Sequence, residues 1–569
     1  MRKPITLGAA ILFAACGGDG GIDLASASPF CQQVIPAVEA FMSETEAARP
    51  TPSDDRYGGT VVVGGRAELV GGMNAAGSMD YHALQHQQFV NLMTLLDYDR
   101  DATPRPYLAE SWEISDDESE ITFHIRRDVF WHDGEQTDAH DVAFSYRLFT
   151  NPVVGFGNAG FWDYYEQGEE GVEVVDDFTV KIRMRPHADF LDPWRVVGML
   201  PEHLLGDVPP QTLAEHPYAT ECPVGNGPFV FASHAPQDRW VFTANPAFPE
   251  GLGGRPFIDR YVYRIIPDQT TLLTELLIQN LDVYISVPPG QAQRIVDDLG
   301  VDIVSFQPRH YDFVAWNSRR SQLADARVRR ALTLGINRRE IVREILLGYG
   351  TVAYSGVPPS HWAFDQDAAA SVGYDPQAAA ALLDEAGWRD RDGDGVRESD
   401  QGARLSISIK FRSGSQYQRS LVEIMQSQLA RIGVEVRAEN VEWGTLLDQI
   451  SVTAERDFDG VLFRWVPDYR LDETDLFHSS RSDYPWALSG ISDPEVDRLL
   501  GELSATVDRD AARPLWAEYY QVMNEVHPYT YLFFPTLIHG VTKRLRGVEM
   551  DARGDLLNIK DWYLDPASR

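Results

Sequence analysis

Apolar and polar residues alternate over 121–126, with Ile121, Phe123 and Ile125 set against Thr122, His124 and Arg126, which predicts a strand buried on one face. The polar run from Ser115 to Glu118 makes a turn ahead of it, and His132-Asp133-Gly134 make the next one. Thr137 or Asp138 then caps a helix carrying Val142, Phe144, Ser145 and Leu148. The two-residue period recurs over 178–184, where Phe178, Val180, Ile182 and Met184 alternate with Thr179, Lys181 and Arg183, and again over 405–411. Thr60-Val61-Val62-Val63 predicts a further strand. Helical patterns lie between the strands. Asp325 caps 328–334, and Asn337 with Glu340 has the form of a capping box ahead of Ile341, Val342, Ile345 and Leu346, closed by Gly348. Asp375-Pro376 opens a helix with Ala379, Leu382 and Leu383 that Gly387 stops. The whole reads as α/β, without solenoid repeats.

A chain of 569 residues exceeds one core, and its length suggests about three to four domains. With 44% hydrophobic residues it can bury them. At the N-terminus, Arg2 and Lys3 precede an apolar run over 5–15, well short of the roughly 20 residues a spanning helix needs, so 1–15 reads as a signal peptide. It ends in Phe13-Ala14-Ala15-Cys16, which resembles the lipobox of bacterial lipoproteins, with Phe13 where Leu is usual. The resemblance implies that Cys16 becomes the lipidated first residue of the mature chain; an ordinary cleaved signal is the alternative. Residues 17–28 suit a tether, 31–48 a short helix with Val34, Ile35, Val38, Phe41 and Met42 on its apolar side, and 49–59 a second linker. The net charge is −35, and removing Arg2 and Lys3 makes it −37, which excludes a nucleic-acid partner because phosphate contacts need clustered Lys and Arg. Cys31 and Cys222 remain besides Cys16. An oxidising compartment permits a disulfide between them; two buried free thiols are the alternative, and geometry decides.

Over 106–145 the chain carries Leu108-Ala109-Glu110-Ser111-Trp112, a Ser115-Asp116-Asp117 turn, Trp131-His132-Asp133-Gly134, and Ala139, Asp141, Val142, Phe144 and Ser145 in the order Ala-x-Asp-Val-x-Phe-Ser. This resembles the segment that marks the family 5 (dipeptide/oligopeptide type) solute-binding proteins of ABC importers. Pro223-Val224-Gly225-Asn226-Gly227-Pro228-Phe229 is similar to that family's Pro-Val-Gly-Thr-Gly-Pro-Tyr turn, and Pro267-Asp268 with Thr271, Asn280 and Asp282 resembles another of its segments. So do Asn317, Asp325, Arg327, Val328, Arg329 and Ala331. The resemblance implies a periplasmic-binding-protein type of α/β fold, class II-like, with two lobes around a cleft and an extra inserted α/β domain. After the anchor, tether and extension (16–58), domain I would comprise 59–82, 186–307 and 531–569, domain II 83–185 and domain III 308–530. The chain would cross between lobes near Gln307 and Tyr531. It also implies a monomeric receptor that is not an enzyme and has no cofactor. Such a receptor captures short peptides at the periplasm or cell surface and delivers them to a permease by hinge closure. Oligosaccharides, nickel chelates and opines are rival solutes, and ligand sensing is a rival role. A glycosidase or peptidase lacks any motif, since no H-E-x-x-H, C-x-x-C, Walker A or G-x-S-x-G occurs.

The ligand site is expected in the segment holding Trp465, Asp468 and Tyr469, which resembles the family's Trp-x-x-Asp, whose Asp pairs with a peptide's α-ammonium. Asp472 and Glu473 stand where the family often has Asp-Pro, which leaves that loop's shape open. Trp443 and Trp316, the latter beside Asn317, are further cleft candidates, with core packing the other reading. Asp390, Asp392, Asp394 and Glu398 occupy positions 1, 3, 5 and 9 of an EF-hand-like loop with Gly395 at 6, a candidate structural calcium site whose position 12 is Gln401 instead of Glu. His82 and His86, four apart on a predicted helix, are a weaker metal candidate without a third ligand. Gly155, Gly157 and Gly160 fit G-x-G-x-x-G, but Asn151-Pro152 precedes them and the stretch is a loop.

Overall fold

In the computed structural model, which describes residues 24–49, 54–77, 80–101, 103–154, 162, 164–185, 190–365, 372–452, 456–467 and 471–568, the alternation around Phe123 becomes the strand Glu120–Ile125. Ile121, Phe123 and Ile125 are buried, and Thr122 and His124 half-buried. The strand lies in a four-stranded antiparallel sheet with Ala109–Ile114, Thr179–Arg183 and Val172–Asp176. Asp138, and not Thr137, caps the helix Ala139–Phe149, in a capping box with Asp141. The core between them is aromatic, with Trp162 edge-on to Trp194 at 4.8 Å and Tyr146 stacked on Trp194. The expected boundary at 185 is too early. Trp194, Met199, Leu200, Leu205, Leu213 and Tyr218 all pack into this core, because the apolar faces of 190–224 have the inserted sheet as their partner.

Two larger sheets form the lobes. One has seven strands in the order Val301–Phe306, Leu537–Thr542, Val283–Tyr284, Thr60–Gly65, Arg260–Ile265, Arg239–Ala244, Phe229–Ala235. Asp282, fully buried, ties its middle together by accepting from Val62 N at 2.9 Å, Arg544 Nε at 2.6 Å and Thr542 Oγ1 at 3.2 Å. The other has six strands in the order Gly350–Val352, Tyr529–Pro535, Tyr311–Trp316, Gly460–Trp465, Ser406–Arg412, Glu435–Val441. Helices cover both faces of this second sheet. Asp325 and Asp375 cap as expected. Asn337 accepts from Glu340 N, but the reciprocal half of the box is supplied from outside the helix. Gln428 accepts from Asn337 N at 2.9 Å and donates to the Glu340 carboxylate at 2.9 Å.

The chain passes between the lobes through two short connections. Val301–Phe306 ends the first and, after 307–310, Tyr311–Trp316 begins the second; Tyr529–Pro535 returns through Thr536 into Leu537–Thr542. The return expected at Tyr531 therefore falls five residues later, because Tyr531 is mid-strand in the second sheet, paired with Phe313.

Ahead of the first lobe, the helix Pro29–Ala48 lies along the inserted unit, with Val34 buried and Ile35, Val38, Phe41 and Met42 half-buried. Cys31 is joined to Cys222, 191 residues on, with Cα atoms 5.7 Å apart. Phe30 packs edge-on to His216 at 4.6 Å, and Arg49 Nη1 donates to Pro246 O at 3.0 Å. The extension is thus a strap, closed covalently at one end and by hydrogen bonding at the other. Among the described residues no helix is long and apolar enough to cross a membrane. Cys16 and the loop 155–160 lie outside the described residues.

Candidate functional site

Strand direction locates the site. In the first lobe Thr60–Gly65, Arg260–Ile265 and Val283–Tyr284 are parallel. Val301–Phe306 runs the same way, since both it and Val283–Tyr284 are antiparallel to Leu537–Thr542. In the second lobe Ser406–Arg412, Glu435–Val441 and Gly460–Trp465 are parallel to one another, and the last pairs antiparallel with Tyr311–Trp316, so Trp465 lies opposite Tyr311. The carboxyl ends of both parallel sets therefore face the two connections. Open α/β sheets hold ligands at such ends.

Trp443 and Trp465 belong to this rim. Trp443 opens the helix Trp443–Ser451 just after Val441, is 37% exposed, stacks on Phe463 at 5.7 Å and carries the Arg412 guanidinium 5.2 Å over its ring. Trp465 meets Trp486 edge-on at 5.9 Å. Asp468 and Tyr469 lie outside the described residues. In the sequence they follow Pro467, whose carbonyl accepts from Arg309 Nη1, in the first connection, at 2.6 Å.

Trp316 and Asn317 do not belong to the site. The cleft edge of their strand is Tyr311, and Trp316 lies five residues beyond it, roughly 17 Å along a strand. Trp316 is fully buried and donates from Nε1 to Thr530 Oγ1 at 2.9 Å. The Asn317 amide donates to Phe458 O at 3.0 Å and accepts from Arg319 N at 3.2 Å, which shapes a buried turn. His86 is likewise structural: its ring nitrogens meet Tyr261 Oη at 2.8 Å and the His82 carbonyl at 2.6 Å, and burial holds its pKa down to about 3.

The charged part of the site had no motif to announce it. Asp312, 3% exposed, accepts from Arg464 Nε at 2.5 Å and Nη2 at 3.1 Å and from Tyr417 Oη at 2.7 Å, which fixes the guanidinium in place. Each is the single charge in an otherwise apolar strand, and that was the available signal. Arg309 acts on the inserted unit and on the second lobe. Burial and then Arg309 lower Arg195 to about 10; burial, Arg464 and Arg309 lower His310 to about 3; burial, Arg509 and Arg309 lower His361 to about 3. Burial raises Asp192, which accepts from Tyr98 Oη at 2.6 Å, to about 6. Tyr81, 40% exposed yet walled by protein, has its hydroxyl 3.3 Å from the Asp555 carboxylate.

A cavity of about 540 Å³ lies between the inserted unit and the second lobe, lined by Tyr164, Arg185, Asp472, His478 and Arg481 among others. The Tyr164 hydroxyl donates to Asp472 across it. Glu473 turns the other way, into the second lobe. It is 4% exposed, accepts from Tyr519 Oη at 2.7 Å, and burial pushes its carboxyl up to about 7.

The segment 106–145 lines none of this. Asp141, 4% exposed, accepts from Trp131 Nε1 at 2.8 Å, Glu202 N at 2.9 Å and Asp138 N at 3.1 Å, and burial raises its pKa to about 6. Ser145 Oγ accepts from Leu200 N at 2.8 Å, and Asn226 Oδ1 from Met93 N at 2.8 Å. These residues hold 91–93, 131–145, 200–202 and 224–227 against one another.

Comparison with known proteins agrees with this geometry. The profile of the bacterial extracellular solute-binding proteins, family 5 (middle), matches residues 103–484. The chain is 28% identical over 537 residues to the oligopeptide-binding protein AppA of Bacillus subtilis, covering 93% of this chain and 96% of that one. It is 26% identical over 472 residues to the dipeptide-binding protein of Escherichia coli, covering 79% and 84%. The structure of AppA in complex with a nonapeptide superposes with a TM-score of 0.74 over 90% of this chain and 99% of that one. NikZ of Campylobacter jejuni in complex with Ni(L-His), 25% identical, does so with a TM-score of 0.73 over 89% and 99%. The chain belongs to the bacterial extracellular solute-binding proteins of family 5.

Proposed function

We propose that this protein captures short peptides outside the cytoplasmic membrane, closes its lobes around them and hands them to the permease of an ABC importer, acting as a monomer held to the membrane by lipid on Cys16. The observation that carries the reading is the pair of connections, 307–310 and Thr536, with the strand ends of both lobes facing them. Two adjacent crossings restrict the lobes to rotation about one axis. A ligand touching both favours the closed form by its differential affinity. Peptide recognition is supported by the oligopeptide- and dipeptide-binding relatives. Arg464 and Arg309 suit a ligand carboxylate, and the Asp468 carboxylate suits a ligand ammonium. The rim aromatics Trp443 and Trp465 suit side chains of varied shape. Transport needs no cofactor on this chain, since ATP is hydrolysed by the importer.

Calorimetric titration of the full chain with a peptide mixture, followed by mass spectrometry of what is retained, tests this. Saturable one-to-one binding is expected, and Asp468→Ala weakens it about tenfold or more, which is about 1.4 kcal/mol. Steady release of cleaved peptide, or no retained peptide at all, would sink the reading. Unchanged affinity in Asp468→Ala removes that residue from the site.

A further inference from the structure

The connection between the helix Pro376–Glu385 and the strand Ser406–Arg412 holds a cluster that the cleft does not use. One carboxylate oxygen from each of Asp390, Asp392, Asp394 and Glu398 lies within 4.8 Å of the other three. The three aspartates are exposed, and clustered surface acids alone identify nothing. Glu398 is different. It is 7% exposed, its backbone pairs with Arg389, and one carboxylate oxygen accepts from Arg391 N at 2.9 Å. Its other oxygen, Oε1, is buried without a hydrogen-bond donor. Such an orphan is costly, the more so for a charged group. The neighbouring arginines do not relieve it, because Arg391 pairs with Asp400 and Arg404 Nη1 with Asp394 Oδ2 at 2.6 Å. A cation seated among the four carboxylates would.

We propose that Asp390, Asp392, Asp394 and Glu398 bind a calcium ion that stabilises the second lobe. All the side-chain donors are hard oxygens, at positions 1, 3, 5 and 9 of the loop, and Gly395 at position 6 takes φ +90° as the sharp turn requires. Gln401 at position 12 is exposed and supplies no bidentate carboxylate, so water completes the shell. That, and the partial neutralisation of Asp394 by Arg404, places the affinity in the weak extracellular range of about 10⁻⁴–10⁻³ M. Calcium accepts such an irregular, water-completed shell, whereas magnesium demands near-octahedral geometry. The ion rigidifies more than the loop. Arg397, next to Glu398, donates from its backbone to Gly433 O at 2.9 Å and from Nε to Ile432 O at 2.7 Å, and its carbonyl accepts from Leu405 N at 2.7 Å. The loop is thereby clamped to the start of the strand whose far end, Arg412, lies over Trp443.

The test is calorimetric titration of the EDTA-stripped full chain with CaCl₂, in about 0.15 M salt to screen diffuse binding by the acidic surface. One saturable site per chain is expected. The double variant Asp390→Asn, Asp392→Asn changes only exposed groups and weakens binding at least tenfold while leaving peptide affinity unchanged. Glu398→Gln does the same, and its melting temperature in EDTA verifies that it folds. Calcium raises the melting temperature of the parent and not of the variants. Absence of saturable binding up to about 10 mM, affinity unchanged in the double variant, or equal binding of MgCl₂ would overturn the proposal.

Discussion

Asp312→Ala is expected to destabilise the second lobe by about 2–4 kcal/mol and to weaken ligand binding in whatever fraction folds. The carboxylate is buried, and it accepts two bonds from Arg464 and one from Tyr417. Removing it leaves the Tyr417 hydroxyl without its acceptor and the guanidinium without its fixed counter-charge. The Arg464 side chain is 43% exposed and can hydrate, which holds the cost below that of breaking a fully buried pair. The functional consequence is separate. Without the two bonds that orient it, the guanidinium samples rotamers, and any interaction with an anionic ligand group carries an ordering cost. Asp312→Asn retains acceptors and is expected to lose about 1 kcal/mol. Unfolding midpoints of both variants, with hydrogen exchange of Tyr311–Trp316 and Gly460–Trp465, check the ranking. An Asp312→Ala variant within about 0.5 kcal/mol of the parent would show that the trio stabilises nothing.

Local features of this fold were legible in the sequence because local physics causes them. Asp138, Asp325, Asn337 and Asp375 cap the helices whose first amides they can reach, and Ile121, Phe123 and Ile125 face the core because a strand alternates. Features set by strand order were not. Trp316 and Trp465 look alike as aromatic residues at strand ends, yet one is core and the other rim, since antiparallel pairing sends their ends to opposite edges of the sheet. The return crossing lies five residues past Tyr531, the place the resemblance implies, for a similar reason. Tyr529–Pro535 is buried throughout and runs almost directly into Leu537–Thr542, so no polar break marks the change of sheet. The segment 106–145 carries the family resemblance, and its Asp141 serves packing, which the sequence does not reveal because a buried carboxylate with three donors and a ligand-binding one read identically as letters. The charged wall drew on residues 192–195, 309–312, 361, 464 and 509, which only tertiary structure assembles.

Glu473→Gln is expected to stabilise the protein at alkaline pH and to leave it unchanged in acid. Burial raises the Glu473 carboxyl from an ordinary 4.5 to about 7, against the opposing effect of the Tyr519 and Tyr520 hydroxyls, with Asp472 adding to the rise. The folded state therefore binds a proton that the unfolded chain gives up. Its contribution is complete below pH 4.5 and is lost as pH climbs through about 7. A shift from 4.5 to about 7 corresponds to about 3 kcal/mol at most. Glutamine is neutral at every pH and keeps an oxygen for the Tyr519 hydroxyl, so the variant escapes the loss. Asp141, Asp192 and Asp555, each raised to about 6 by burial, add a parallel decline in both proteins. The informative quantity is thus the difference between the two stability curves. It should be near zero at pH 4, grow between pH 4.5 and 7, and level off above, with the variant the more stable. Parallel curves across that window would mean that Glu473 ionises as readily in the fold as in water, and that the tyrosine-lined site around it is wetter than its 4% exposure implies.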